Sequence, residues 1–268
     1  MKTFIKYCGG KAKLLNFIKE NIPNFNNYYE PFVGGGSVIF GLIDTESSTN
    51  YNISDINKNL INCYSVIKDS LELLLLELSK DIYENYLDIY LANRETFNKI
   101  KFLDTQCVER AALFIYLNKC GFNGMYRENK KGIFNIPFGK MKSPKILDTI
   151  TLENCSKALK NVSVSHAGYK SILSSVQKDD FVYLDPPYDE TFTGYTSEPF
   201  GKKEQTELKE FIDVLGKKGV KVMMSNSDTD FIKSLYSDYK IIILETKYSI
   251  GGKNASRSTR QEVLVTNY

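Results

Sequence analysis

Residues 30–37 read Glu30-Pro31-Phe32-Val33-Gly34-Gly35-Gly36-Ser37. Upstream of the glycines, Tyr28 to Val33 reads as a short strand. Downstream, Val38 to Leu42 is apolar and opens a helix, and Tyr51 to Ser54 alternates into Asp55 as a second strand. Strand, glycine turn, helix and strand in so short a stretch make a βαβ unit. Glycines at such a turn let backbone approach a ligand closely. The run is not the dinucleotide fingerprint G-x-G-x-x-G, because the residue three after Gly36 is Ile39. The missing third glycine counts against a nicotinamide cofactor. Asp55 lies 19 residues past Gly36, where a carboxylate commonly accepts the two hydroxyls of a ligand ribose. The turn and Asp55 together fit an adenosine-containing cofactor without a pyrophosphate. They also fit a tight turn with Asp55 capping a helix that starts at Ile56-Asn57.

Outward from this unit, residues 12–20 have apolar positions at helical spacing. From about Ile56 to Lys119, stretches such as LELLLLELSKDIYENYLDIYLANRETF carry helical spacing without alternation. Residues 119–145 break that pattern with four glycines, two prolines and interleaved aromatics. Strand-like segments return at Val162–Ser165, Phe181–Leu184, Val220–Met224, Lys240–Leu244 and Glu262–Thr266, with a helix over Glu204–Leu215. The fold expected is α/β, a sheet interrupted by a mostly helical lobe. The boundaries read as 1–56 and 160–268 for the sheet domain and 57–159 for the insertion, with a hairpin loop near 119–140.

The chain has 268 residues with 25% charged and 42% hydrophobic, which excludes wholesale disorder. Its net charge is only +3, so a nucleic-acid partner has to show as a local patch. Five cysteines without a CxxC pair argue for reduced packing thiols. With His166 as the single histidine, a His-based zinc site is nearly excluded and no metal is expected. His166, just past a strand, reads as a local structural residue. The start MKTFIKYCGGKAK has no apolar stretch of signal-peptide type, and the longest aliphatic run, Leu73–Leu76, cannot cross a bilayer. A soluble intracellular protein, with no membrane partner, is the expectation.

The most specific segment is Phe181-Val182-Tyr183-Leu184 followed by Asp185-Pro186-Pro187-Tyr188. An apolar strand delivers a carboxylate to its C-terminal edge, where open α/β sheets bind ligands. Two prolines fix φ and remove two N–H groups, leaving carbonyls as acceptors. A carboxylate beside a rigid carbonyl suits an exocyclic amino group, which offers two N–H donors. Tyr188 adds a flat face on which a base can stack.

These segments resemble the Dam-type DNA adenine-N6 methyltransferases. The resemblance runs through Lys6-Tyr7-Cys8-Gly9-Gly10-Lys11, EPFVGGGS at 30–37, SDIN at 54–57, CGFNGMYREN at 120–129, FNIPFG at 134–139, DPPY at 185–188 and SNSDT at 225–229. Their order is that of the α-arranged amino-methyltransferases. It implies a Rossmann-like, mostly parallel seven-stranded sheet with an inserted target-recognition lobe. It implies S-adenosylmethionine as methyl donor, leaving S-adenosylhomocysteine, and double-stranded DNA as partner. Carried over by position, Tyr7, Lys11, Asp55 and Asp185 lie at the cofactor, with Phe32, Gly34 and Gly36 of the turn beneath it. Asp185, Pro186, Pro187 and Tyr188 hold the flipped adenine. Lys6 and Arg127 read guanines, Phe122 and Asn123 enter the base stack, Met125 and Pro137 touch a base, and Lys140 joins them at the DNA. Methylation of GATC is implied. Two departures stand out: Phe122 replaces a tyrosine common in the family, and the helical insertion and C-terminal segment match only in pattern. A prokaryotic, phage or viral cytoplasm, a monomer and a possible cognate restriction endonuclease complete the expectation.

The chemistry can be read from the residues as well. The N6 lone pair of adenine is delocalised into the ring, and accepting hydrogen bonds from both N–H groups returns electron density to nitrogen. Catalysis is then positioning and electrostatics. Cytosine C5 methylation needs a cysteine nucleophile, usually after proline, and no Pro-Cys occurs. A target inside a duplex must be flipped out. Segment 119–145 carries seven basic residues against a single acid, Glu128, a net +6. In it Arg127 can make a bidentate contact to a guanine edge. A second basic cluster is Lys253, Arg257 and Arg260. Cytosine-N4 or RNA adenine methylation remains the alternative, since the motif recognises an amino group rather than one base.

Overall fold

In the computed structural model the described residues are 1–7, 9–45, 49–100, 107–189, 200–247 and 259–268. The strands are β1 (Asn27–Glu30), β2 (Asn50–Asp55), β3 (Val162–His166), β4 (Phe181–Leu184), β5 (Lys221–Ser227), β6 (Lys240–Lys247) and β7 (Thr259–Thr266). They form a seven-stranded sheet in the order β3-β2-β1-β4-β5-β7-β6. β1, β2, β3, β4 and β5 pair in parallel, and β7 runs antiparallel to both β5 and β6.

The helices are α1 (Leu15–Asn21), α2 (Ile39–Leu42), α3 (Lys58–Asp69), α4 (Leu71–Leu78), α5 (Leu87–Lys99), α6 (Val108–Cys120), α7 (Thr149–Leu159), α8 (Lys202–Lys217) and α9 (Asp230–Leu235). Five of them, α3 to α7, lie in sequence between β2 and β3. Asn57 starts α3 by accepting the N–H groups of Asn59 and Leu60, which satisfies two of the donors a helix start leaves orphaned.

All four residues of β4 are buried, as a central strand covered on both faces requires. Side chains alternate across it. Phe181 and Tyr183 join Tyr28, Met223 and Leu264 in one cluster, which continues into the buried residues of α3 and α6. Val182 and Leu184 join Tyr29, Val222, Met224, Val263 and Val265 in the other. α8 covers this second face with Leu208, Phe211, Ile212 and Leu215, a helical stripe three and four residues apart. α6 is buried at every position from Arg110 to Asn118 and packs against α3, α4 and α5.

The strand order reverses between β1 and β4, which pair through Tyr28↔Phe181 and Tyr29↔Val182. Open α/β sheets bind ligands in the crevice outside the carboxyl ends of strands at such a reversal. The two strands delivered there end in the glycine turn and in Asp185.

Of the boundaries that differ from the sequence reading, three bear on the site. β1 stops at Glu30, because Pro31 has no N–H to continue the ladder and Val33 turns back to donate to the Ser54 carbonyl at 3.1 Å. α2 is a single turn. Lys11–Lys13 form a 3₁₀ turn before α1 begins at Leu15, so Lys11 sits outside the helix, free of its spacing.

Candidate active site

Asp185 follows β4 directly, and three groups meet its carboxylate. Lys11 Nζ lies 2.7 Å from Oδ1 and 2.8 Å from Oδ2. Ser225 of β5 donates its hydroxyl to Oδ1 at 2.8 Å. Since a hydroxyl has one proton, Tyr183 must supply the proton in its own 3.1 Å contact with Ser225 Oγ. Lys11 is buried and its ammonium also donates to the Gly9 carbonyl. Burial pushes the Asp185 carboxyl above the usual range, and Lys11 and then Ser225 pull it partly back. Among the described residues Oδ2 meets Lys11 alone, so it retains an acceptor position for a further donor.

The rest of the motif is held from behind. Gln205, buried on α8, donates to the Pro187 carbonyl at 2.9 Å and accepts from Asn226 Nδ2 at 3.0 Å. Asn226, buried on β5, accepts the Asp189 N–H at 3.0 Å. Thr229 and Ser227 hold Asp189 further, through its carboxylate at 2.7 Å and its carbonyl at 2.6 Å. With the Pro187 carbonyl engaged by Gln205, the Asp185 and Pro186 carbonyls remain as acceptors. Tyr188 donates its hydroxyl to Glu262 of β7 at 2.6 Å, and Lys11 Nζ stands 4.7 Å from the centre of its ring. Burial raises the Tyr188 phenol well above its ordinary range, so it donates and does not ionise.

The glycine turn lies beside this corner. Gly34 and Gly36 have φ of +48° and +74°, where side chains are rarely tolerated. A Cβ on Gly36 would stand 2.5 Å from the Tyr64 hydroxyl and 2.8 Å from the Phe40 ring, and one on Gly35 would stand 2.8 Å from the Tyr7 Cβ. Tyr7 thus packs directly on the turn. Asp55 accepts the Gly34 N–H at Oδ2 (3.0 Å) and the Asn57 N–H at Oδ1 (2.9 Å). A carboxylate has about four acceptor positions, so these bonds leave room for a ligand hydroxyl. Asp55 therefore braces the turn, while the N-cap of α3 is Asn57. Burial raises the Asp55 carboxyl, opposed by those backbone donors. Phe32 is half-buried and stacks on Tyr169, ring centres 5.4 Å apart.

The hairpin segment meets the N-terminal segment. Bridges Gly121↔Phe138 and Glu128↔Phe134 close it. Its tip is a short turn over Phe122–Gly124, with Asn123 at φ +55°. Phe122, Asn123 and Pro137 are exposed, and Met125 and Arg127 half-buried. Arg127 Nε donates to Asn135 Oδ1 at 2.8 Å. Its neighbours Tyr126 and Glu128 turn inward to Asn59, which in turn accepts from buried Arg110 at 2.6 Å. Lys6 is exposed and its Cβ lies against Gly124. Lys140, also exposed, follows the Gly121↔Phe138 bridge with φ +55°.

The structure thus brings Lys11, Asp185 and Tyr188 together, sets Tyr7 and Asp55 on the glycine turn, and joins Lys6 to the hairpin tip. His166 keeps to a local contact, its Nε2 3.0 Å from the Ile56 carbonyl. Cys63, Cys120 and Cys155 are buried free thiols. Cys8, Lys253 and Arg257 lie outside the described residues, as does the Arg260 side chain. Sequence reasoning gave no role to Ser225, Asn226, Gln205, Glu262 or Asn118. The SNSDT stretch was a signal for the first two. Among the described residues no three His, Cys, Asp or Glu side chains cluster as a metal site, and no helix is long and apolar enough to cross a membrane.

The D12 class of N6 adenine-specific DNA methyltransferases, taken as a sequence family, matches residues 7–250. A type II methyltransferase of Methanocaldococcus jannaschii, M.MjaIII, is 40% identical, over 100% of this chain and 99% of its own length. Another, M1.LlaDCHI of Lactococcus lactis, is 38% identical over 100% and 96%. The DNA adenine methylase of Escherichia coli K12 is 31% identical over 98% and 94%. A match that spans the glycine turn, the hairpin and the Asp185 corner alike shows that this chain belongs to the D12 class of N6 adenine-specific DNA methyltransferases.

Proposed function

We propose that this adenine-specific DNA methyltransferase takes its methyl group from S-adenosylmethionine and places it on N6 of an adenine flipped out of duplex DNA, in GATC. One observation carries the reading. A carboxylate with a spare acceptor position, a rigid carbonyl and an aromatic face stand at the tip of β4, beside a side-chain-free turn, where the strand order reverses.

The residues at the turn fit the donor. Asp55 offers two braced oxygens to a ribose, Gly34 and Gly36 leave backbone bare, and Tyr7 and Phe32 add apolar faces. Lys11 and Asp185 present opposite charges to the zwitterionic amino acid end. When bound, S-adenosylmethionine supplies a methyl group already activated by its sulfonium.

Asp185 Oδ2 and the Pro186 carbonyl accept the two N6 protons of the adenine. Density returns to nitrogen, which attacks without a base removing a proton first. The surplus proton is acidic once the bond has formed, and Asp185, raised by burial, is suited to take it before passing it to water. Tyr188, steadied by Glu262, gives the purine its stacking face. Lys11, Ser225 and Gln205 hold this constellation ready, so that little reorganisation is needed in the transition state.

Residues 1–56 and 160–268 form the catalytic domain in this reading, and 57–159 the recognition domain. Phe122 and Asn123 fill the gap left by the flipped base. Lys6 and Arg127 read guanines, Met125 and Pro137 touch bases and Lys140 grips the backbone. The enzyme works as a cytoplasmic monomer without metal. The type II names of two relatives fit a restriction endonuclease as companion.

Incubation with labelled S-adenosylmethionine and a GATC duplex, followed by nucleoside analysis, tests this. N6-methyladenine is expected. Asp185→Ala should lower turnover at least a hundredfold, roughly the cost of removing one preorganised transition-state contact, while sparing DNA affinity. Formation of 4-methylcytosine, transfer to RNA alone, or retained Asp185→Ala turnover would overturn it.

A further inference from the structure

Asn118 is 3% exposed in the last turn of α6. Its Nδ2 donates to the Lys6 carbonyl at 2.8 Å and to the Gly124 carbonyl at 2.8 Å, and its Oδ1 accepts the Lys6 N–H at 3.0 Å. An amide that takes both the N–H and the carbonyl of one residue acts as a strand partner would. Both donors of Asn118 are used, each on a different segment. One segment is the N-terminal stretch, where Tyr7 next to Lys6 packs on the glycine turn. The other is the hairpin tip, whose Gly124 has φ +64° and approaches Lys6 so closely that a Cβ would stand 2.8 Å from the Lys6 Cβ.

Neither an acidic nor an apolar side chain would serve. Aspartate puts an oxygen where the two carbonyls need a donor, and an apolar residue leaves three backbone groups unpaired, two of them beside an exposed loop. Asn118 thereby joins Lys6, 112 residues before it, to Gly124, six residues after it. α6 is buried along its length and fixed by α3, α4 and α5 packing, so the joint has a rigid base.

We infer that Asn118 is a specificity-positioning residue: it fixes Lys6 relative to the Phe122–Gly124 turn, so that the two sets of DNA contacts read one site in register. The inference rests on the preceding reading of Lys6 and the hairpin as DNA contacts. It makes recognition at the base pair read by Lys6 depend on a residue that touches no DNA.

The experiment compares wild type, Asn118→Asp, Asn118→Ser, Lys6→Ala and the Asn118→Asp/Lys6→Ala double variant. For each, kcat/KM is measured on the wild-type target duplex and on duplexes changed at one base pair, together with S-adenosylmethionine affinity and thermal midpoint. Lys6→Ala and Asn118→Asp should each cut discrimination about tenfold at the same base pair, the order of one lost base contact. The double variant should lose no more than either alone, the mark of coupled positions. Cofactor affinity should be unchanged. Serine, too short to reach both carbonyls, should act in the same direction with a smaller loss of stability, and it decides the matter if the aspartate variant does not fold. Equal loss of kcat/KM on every duplex, with discrimination intact, would make Asn118 a purely structural joint and overturn the inference. So would additive losses in the double variant. If wild type methylates no duplex adenine, the preceding reading falls, and this inference with it; a selective wild type with unselective effects of Asn118 overturns the inference alone.

Discussion

Replacing Glu30 by glutamine should stabilise the protein at neutral pH and leave it nearly unchanged in mild acid. Glu30 ends β1 with 2% of its surface exposed, and the Tyr28 hydroxyl donates to its Oε2 at 2.7 Å. Burial, with the nearby Asp185 charge adding to it, pushes its carboxyl up to about 8 from 4.5, although Tyr28 and the Ile39 N–H favour the charged form. Between those two values the folded chain holds a proton that the unfolded chain has released. Stability that is fully present below 4.5 is therefore lost as pH rises towards 8, since folding keeps a neutral acid. With about 1.4 kcal/mol per unit, the ceiling is about 5 kcal/mol, of which about 1 has been lost by pH 5 and about 3 by pH 7. Glutamine keeps the acceptor for Tyr28 and does not titrate. The stability difference between Glu30→Gln and wild type should then grow by about 2 kcal/mol from pH 5 to pH 7, read from urea unfolding at each pH. Asp55 titrates in both chains and drops out of the difference, whereas the Asp185 charge that helps raise Glu30 is part of what the difference reads. A difference that stayed flat across that range would show that Glu30 ionises as an ordinary carboxylate, and the burial argument would fail.

Other perturbations follow from the same geometry. Gly36→Ala puts a Cβ 2.5 Å from the Tyr64 hydroxyl at a φ of +74°. It should cost about 1–3 kcal/mol of stability and weaken S-adenosylmethionine binding in calorimetry, whereas unchanged affinity would detach the turn from the cofactor. Gln205→Leu leaves the Pro187 carbonyl and the Asn226 amide unpaired. Steady-state kinetics should show kcat falling about tenfold or more with DNA affinity retained, and an equal loss in DNA affinity would contradict its positioning role. Arg127→Ala should relax sequence choice by about 1–3 kcal/mol at one base pair without harming cofactor binding, as measured on variant duplexes.

Much of the site was legible because its parts are local in sequence. The glycine turn and Asp55 are bound to each other within one βαβ unit, and the D-P-P-Y corner announces itself by an apolar strand, a carboxylate and two residues without N–H groups. The groups that hold them were not legible. Ser225 and Asn226 reach Asp185 and Asp189 only because β4 and β5 pair in the register Leu184↔Met224. Glu262 reaches Tyr188 only because β7 is inserted antiparallel beside β5. Gln205 reads as one polar position near the start of an amphipathic helix, and nothing in its spacing says that it is buried. Asn118 looks like a residue of a helix end, and one of its two partners, Lys6, lies near the start of the chain. Asp55 illustrates the middle case: ribose acceptor and helix cap were both open, and the structure gives the cap to Asn57 while Asp55 braces Gly34. Glu30 falls in the stretch Tyr28–Val33 that reads as a strand, and only the packing over the sheet makes it a buried acid.

In the proposed reaction the amino group of a purine is received at the corner of β4. A crystal structure of the protein with a target duplex and S-adenosylhomocysteine measures this directly. The flipped adenine should lie on the Tyr188 ring with N6 within about 3 Å of both Asp185 Oδ2 and the Pro186 carbonyl. A purine bound elsewhere, with the Lys11 ammonium still filling both oxygens of Asp185 and no room left at Oδ2, would contradict it.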